Sequence, residues 1–257
     1  MHFVTLWFNF PMSDQVKPEW HAEHLIASYD VDPNCVARLP VFCRFMQEAA
    51  YFHAEHLGVG HSQLSPSGIS WVLARMRIEI GRLPKWGESI RLRTWPSNRD
   101  RLFYHRDFEI TDGDGKLLLL ASTAWFVIDI RKRQRIIPDW WETANFPVGA
   151  KVFRSKLERL KSYGCEGGEP MAVNYGDLDQ NGHVNNVRYM EWILNSLPRE
   201  FHQSNRLQSI EVNYLAEAVY GHQVSICASE PEPLVFDHAI RADGADLFRA
   251  RSVWKPV

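Results

Sequence analysis

No stretch of the chain is apolar for long enough to cross a bilayer as a helix, and basic residues are not in excess. Lys and Arg number 29 against 31 Asp and Glu, a formal charge of −2. A nucleic-acid binder would carry the opposite balance, so nucleic acid and a membrane span are both set aside. Cysteine is scarce. Cys35, Cys43, Cys165 and Cys227 form no C-x-x-C pair and no zinc spacing, and reduced thiols in a cytoplasmic protein are the expectation. Two His-Ala-Glu-His runs, at 21–24 and 53–56, space their histidines at i and i+3. The helical zinc motif needs i and i+4, with Glu directly after the first His. They are therefore expected to be surface helix histidines, and no metal or cofactor is expected. The apolar opening segment lacks both a preceding Lys or Arg and a small-residue cleavage site, which makes it a poor signal peptide. Translation is expected to start naturally at Met12; N-terminal sequencing that began at residue 1 or 2 would dismiss this.

What is present is 257 residues with 45% hydrophobic and 23% charged content, the profile of a soluble globular protein of one large or two ordinary domains. Its most concentrated chemistry lies in Asp177-Leu178-Asp179-Gln180-Asn181-Gly182-His183-Val184-Asn185-Asn186. The apolar periodicity that follows, from Val187 to Leu197 and stopped by Pro198, predicts a helix with this polar cluster at its N-terminus. Helix capping by Asn185 or Asn186 explains part of the cluster, but it does not call for a histidine. Nor does it call for Asp, Asn and His in alternation at 179, 181 and 183. Calcium fits positions 1, 3, 5 and 6 of an EF-hand loop, yet position 12, which must be Glu, is Arg188. A catalytic loop remains, with helix N–H groups beside it able to polarise a carbonyl.

The run D-L-D-x-N-x-H-V-N-N-x-x-Y-x-x-W, present as Asp177 to Trp192, resembles the signature of the acyl-acyl-carrier-protein (acyl-ACP) thioesterases of plants and bacteria. In that family a strand and a Tyr-x-x-Glu element follow, and this chain supplies Tyr214-Leu215-Ala216-Glu217. By order and spacing the resemblance covers about residues 20 to 257. It implies an α+β tandem (double) hotdog fold, each half a long helix wrapped by a curved antiparallel sheet.

An internal repeat supports the same architecture. Tyr29-Asp30-Val31-Asp32-Pro33-Asn34 echoes Gly176-Asp177-Leu178-Asp179-Gln180-Asn181, and each precedes a helical pattern, Leu39–Leu57 or Asn186–Leu197. Four alternating strands follow each helix, with Asp112-Gly113-Asp114-Gly115 and Asp243-Gly244 as hairpin turns. In the first copy Asp32 and Asn34 survive, while the His183 register falls near Val36 and Glu217 maps to Leu83. One complete constellation in two copies suggests that the first half shapes a pocket and the second carries catalysis. The expected division is an N-terminal extension (1–19), a first hotdog domain (20–147), a linker (148–170) and a second, catalytic hotdog domain (171–257).

The expected catalytic residues are Asp179, Asn181, His183 and Glu217. Two carboxylates on one site push one pKa toward the working pH, giving a base where an isolated Asp would be too weak. Asp179 is read as nucleophile or water base, and Glu217 as its activating partner or the water base itself. Asn181 and His183 position and polarise, and N–H groups around Val184 to Asn186 are candidate oxyanion donors. Plant members often carry a cysteine directly after the equivalent of Glu217; here that residue is Ala218, which removes a cysteine nucleophile there.

The resemblance implies hydrolysis of fatty acyl-ACP, ending chain elongation, with the acidic carrier and its phosphopantetheine-linked acyl chain as partner. An acyl-CoA thioesterase and a non-catalytic acyl-binding hotdog module are the alternatives. Carrier docking is expected at Arg131-Lys132-Arg133-Gln134-Arg135, Arg75/Arg77 or Arg91/Arg93, each also readable as an ordinary charged strand face. Whether two chains pair as a homodimer stays open.

Overall fold

The computed structural model describes residues 17–100, 102–138, 146–163, 168 and 170–257. The expectation for residues 1–11, together with Cys165 and part of the 139–170 connection, lies outside them.

Two helices carry the core. In α1 (Leu39–His56) the buried residues Leu39, Phe42, Cys43, Met46, Ala49, Ala50 and His53 recur at helical spacing and form one stripe. In α3 (Asn186–Asn195) Val187, Tyr189, Met190, Trp192 and Ile193 do the same. Around α1 run β1 (Trp20–Leu25), β2 (Ile69–Ile80), β3 (Ser89–Asp100), β4 (Phe103–Asp112), β5 (Leu117–Asp129) and the short β6 (Gln134–Ile136). Around α3 run β7 (Pro170–Ala172), β8 (Asn205–Tyr214), β9 (Gln223–Glu232), β10 (Val235–Ala242) and β11 (Ala245–Pro256). Two short helices, α2 (His61–Leu64) and α4 (Arg199–Ser204), follow the long ones.

The strands form one antiparallel sheet in the order β1-β3-β4-β5-β2-β8-β11-β10-β9-β7, with β6 on β5. The order is a palindrome about the β2·β8 pair, where Ile78 faces Ile210 and Arg77 faces Glu211. Each half is a helix wrapped by a curved antiparallel sheet, the tandem hotdog arrangement. The repeat predicted from sequence begins at the polar loops Tyr29–Asn34 and Gly176–Asn181, whereas the structure adds a leading strand to each copy. His21-Ala22-Glu23-His24 therefore lies in β1 and not on a surface helix. In the other run, His53 is fully buried and not a surface residue. The Asp243-Gly244 turn has φ of 50° and 77°, the double positive φ that a two-residue type I′ hairpin needs.

Alternate strand residues point away from the helices and hold the connection between the halves. Arg75 donates to the Leu157 carbonyl at 2.6 Å, Arg77 to Ser155 Oγ at 2.7 Å, and Arg249 to the Leu160 carbonyl at 3.0 Å. Buried Asn213 accepts from the Leu160 N–H at 2.7 Å, and buried Asp107 from Val152 at 2.8 Å. Arg75 and Arg77 are thus occupied within the fold. Arg91 and Arg93 pair with Glu23, Glu19 and Glu109 across neighbouring strands. Cys35 and Cys43 are free, but Cys227 is disulfide-bonded. This corrects the expectation of four reduced thiols, because C-x-x-C and zinc spacings test only cysteines close in sequence.

Candidate active site

The polar loop is built by its own backbone. Asp179 Oδ1 accepts from the N–H of Asn181 at 2.8 Å and of His183 at 3.3 Å, while the Asp179 N–H returns to the His183 carbonyl at 2.7 Å. Gly182, at φ 78°, takes the left-handed turn that glycine adopts without steric cost. Asp177 Oδ2 accepts from the Asn174 N–H, and Asn185 caps α3 through its side chain, accepting from Val187 at 2.9 Å. Arg188, which blocked the calcium reading, lies 3.5 Å from Asp177 and 2.5 Å from Glu191. An arginine is therefore the counterion of the loop's first acid.

The loop then meets the segment after β8. His183 bridges to Val219 in an isolated ladder, and the Val184 N–H donates to the Ala218 carbonyl at 2.8 Å. This brings His183 Nε2 to 3.4 Å from Glu217 Oε2, with both side chains partly open to solvent. His183 thus touches both acids, Asp179 through its backbone N–H and Glu217 through its ring. Burial pushes the Tyr189 phenol up to about 12, and the negative charges of Glu217 and Asp179 add to the shift while the Ala218 N–H opposes it. All four expected site residues belong to this one loop and the segment facing it. Of the expected oxyanion donors, Val184 and Asn185 are withdrawn, because their N–H groups already bond to Ala218 and Asp177. Among the described residues, the Asn186 N–H at the helix start is left without an acceptor.

The first half reproduces the backbone bonds of this construction. Asp32 Oδ1 accepts from Asn34 at 2.8 Å and Val36 at 3.0 Å, Asp32 N–H returns to the Val36 carbonyl at 2.8 Å, and Ala37 N–H donates to Pro84 at 2.9 Å. Val36 bridges Lys85 as His183 bridges Val219. Superposed in this way, His183 corresponds to Val36 and Glu217 to Leu83. One bond differs at the retained acids: Asn34 Nδ2 donates to Asp32 Oδ2 at 3.3 Å. The corresponding bond between Asn181 and Asp179 is not made, so both polar ends are released.

Comparison with known proteins gives the family and the fold. The acyl-ACP thioesterase N-terminal domain family model matches residues 17–143, and the C-terminal domain model matches residues 166–256. The chain belongs to the acyl-ACP thioesterase family. It is 26% identical over 253 residues to an acyl-[acyl-carrier-protein] hydrolase of Cuphea viscosissima, described as chloroplastic, covering 90% of this chain and 60% of that one. A chloroplastic palmitoyl-acyl carrier protein thioesterase of Cuphea hookeriana is 28% identical, with 90% and 61% covered. The chain therefore spans about three fifths of the length of these plant relatives. An acyl-ACP thioesterase structure from Bacteroides thetaiotaomicron superposes with a TM-score of 0.86 at 27% identity, covering 93% of this chain and 98% of the other. The 12:0-ACP thioesterase of Umbellularia californica shares the fold, with a TM-score of 0.82 at 23% identity and coverage of 94% and 98%.

Proposed function

We propose that this member of the family hydrolyses the thioester of fatty acyl-ACP, releasing free fatty acid and holo-carrier and so ending chain elongation. The observation that carries the reading is the His183–Glu217 pair at 3.4 Å, set on the Asp179 loop and lacking any counterpart in the first half. Asp179 Oδ1 is tied to the loop, which leaves Oδ2 to act on the thioester carbon or on a water. Glu217, steadied by His183, activates the water. We assign the Asn181 amide and the Asn186 N–H as donors to the developing oxyanion. Little acid help is needed, because a thiol of pKa about 8.5 leaves readily as thiolate.

If Asp179 attacks directly, a mixed anhydride forms as the thiolate departs, and water activated by Glu217 then cleaves the anhydride. The two routes differ in a single-turnover mass measurement with Glu217→Gln. Direct attack accumulates acyl-enzyme on Asp179, whereas the water-base route leaves the protein unlabelled.

The first domain, 20–147, is assigned to shaping the acyl pocket and 171–257 to catalysis, with 148–170 as linker and 1–19 as extension. The carrier's acidic surface would meet the exposed run Arg131–Arg135, within which Lys132 pairs with Asp129 at 3.4 Å and Arg135, in β6, stacks over Phe126 at 4.1 Å. Among the described residues no helix is long and apolar enough to cross a membrane, and a cytoplasmic location is our reading, although the plant relatives are described as chloroplastic. A thiol-release assay on acyl-ACP and acyl-CoA side by side tests the function. Preference for acyl-CoA would favour a CoA thioesterase, and no turnover of either would leave an acyl-binding module. Size-exclusion chromatography decides whether the chain forms a homodimer.

A further inference from the structure

The two halves, matched by their hydrogen bonds, differ in a second coupled way, one layer behind the reacting groups. Tyr189 on α3 is 3% exposed, and its hydroxyl oxygen accepts a hydrogen bond from the Ala218 N–H at 3.0 Å. Ala218 follows Glu217 directly, and its carbonyl holds the Val184 N–H of the catalytic loop. In the first half the tyrosine position is Phe42, which has no hydroxyl, and the alanine position is Pro84, which has no N–H. The register is fixed by matching bonds: Ala37 N–H to Pro84 carbonyl at 2.9 Å, and Val184 N–H to Ala218 carbonyl at 2.8 Å. The ring environments also correspond, since Tyr189 packs edge-on to Trp192 at 5.5 Å and Phe42 edge-on to Phe45 at 6.3 Å. Acceptor and donor are thus present together where Glu217 must be aimed, and absent together where Leu83 has replaced it.

A buried N–H left without an acceptor is costly, while a site lacking both partners need not be. Either pair is consequently a sound way to close this segment. Only the Tyr–Ala pair adds a directional link between the helix and the residue beside the carboxylate. A proline closes the same place by rigidity alone, and the first half has no side chain there to aim.

We propose that Tyr189 is a positioning residue for the hydrolysis: its hydroxyl, through the Ala218 N–H, fixes the segment that sets Glu217 against His183. This rests on the thioesterase reading of Glu217, and the experiment separates the two. Tyr189→Phe keeps the stack on Phe248 at 5.5 Å and removes only the acceptor. It is assayed on acyl-ACP in the full chain beside Glu217→Gln, with exchange of the Ala218 amide followed by NMR.

The expected result is faster Ala218 exchange with kcat lowered at least about tenfold and KM changed by less than about twofold, the split that misaligned chemistry produces. Wild-type kcat in Tyr189→Phe with a freely exchanging Ala218 amide, while Glu217→Gln is inactive, would overturn this inference alone. Wild-type turnover in Glu217→Gln would instead remove the reading beneath it. Should Tyr189→Phe fold poorly, the double variant Tyr189→Phe/Ala218→Pro installs the first half's own pairing and leaves no unpaired group. Its kcat should fall likewise, and a wild-type value there would also refute the proposal.

Discussion

The two halves use one backbone for different ends, and their interiors differ as much as their loops. In the first half the space between α1 and the sheet holds His53, fully buried, with Arg106 Nη1 at 2.9 Å from its Nδ1 and 3.3 Å from Thr94 Oγ1. Burial lowers the Arg106 guanidinium to about 10, which leaves it charged at neutral pH. In the second half the register puts Phe236 opposite Ser252, as Arg106 lies opposite Thr123. Trp254 donates to Ser252 at 2.9 Å just as Trp125 donates to Thr123 at 2.8 Å. There Phe201 of α4 packs on Phe236 at 5.1 Å and on Trp254 at 5.0 Å, closing the space with rings. The lesson is a division of labour. Features common to both halves, such as Asp32 and Asp179 Oδ1, are construction; features found on one side are where specialised work is to be sought.

The strongest way to break that division is at the site. Asp179→Asn and Glu217→Gln should each lower acyl-ACP hydrolysis at least about a hundredfold, the low end for loss of a general base. Asp32→Asn, in the copied loop, should leave kcat/KM within about twofold. Steady-state thiol release checks all three, and a large loss in Asp32→Asn would mean that the first loop takes part.

A smaller effect comes from acid. Burial lowers His53 to about 3 and His238, bonded to Ser252 in the second half, to about 4. Both are buried neutral, so their stabilisation is complete above the ordinary value of 6.5 and is lost as pH falls toward those lowered values. Between pH 6.5 and about 5 the stability from urea unfolding should drop by on the order of 1–2 kcal/mol per histidine. His53→Gln and His238→Gln should each flatten that slope by a similar amount, diverging only below about pH 4. An unchanged slope in either would contradict the buried neutral state.

Capping gives a still finer contrast. Asn185→Ala removes the side-chain cap of α3 and should cost about 1 kcal/mol in thermal melts. Arg38→Ala, at the uncapped start of α1, should stay within about 0.5 kcal/mol. The smallest expected effect is on carrier docking. Raising salt should raise KM for acyl-ACP a few-fold while leaving a short thioester model substrate nearly unchanged, and identical responses would remove the Arg131–Arg135 docking surface.

Much of this was legible in the sequence because local bonds leave local marks. An Asp whose carboxylate staples the N–H groups two and four residues on demands Asp at both 32 and 179, and the shared spacing exposes the duplication. Helix stripes and Asp-Gly turns are equally short-range. The Tyr189–Ala218 pair stayed hidden because its partners lie 29 residues apart and neither residue type announces a bond. His53 looked like a surface histidine because its partner Arg106 lies on a distant strand, and His21–His24 looked helical because i, i+3 spacing says nothing about strand or helix. Two of the three expected oxyanion donors failed for a related reason: the acceptors that take the Val184 and Asn185 N–H groups come from Ala218 and Asp177, one of them a long way along the chain.

The ladder that joins β2 to β8 has one last consequence. Each of these strands supplies the edge that the other would otherwise leave bare, and bare edges recruit partners. The later half produced on its own would expose β8, whose register with β2 is already near-symmetric about Glu211. The nearest available match is another copy of itself. Such a fragment should run as a symmetric pair in size-exclusion chromatography, weakened where Glu211 would face its own copy in place of Arg77.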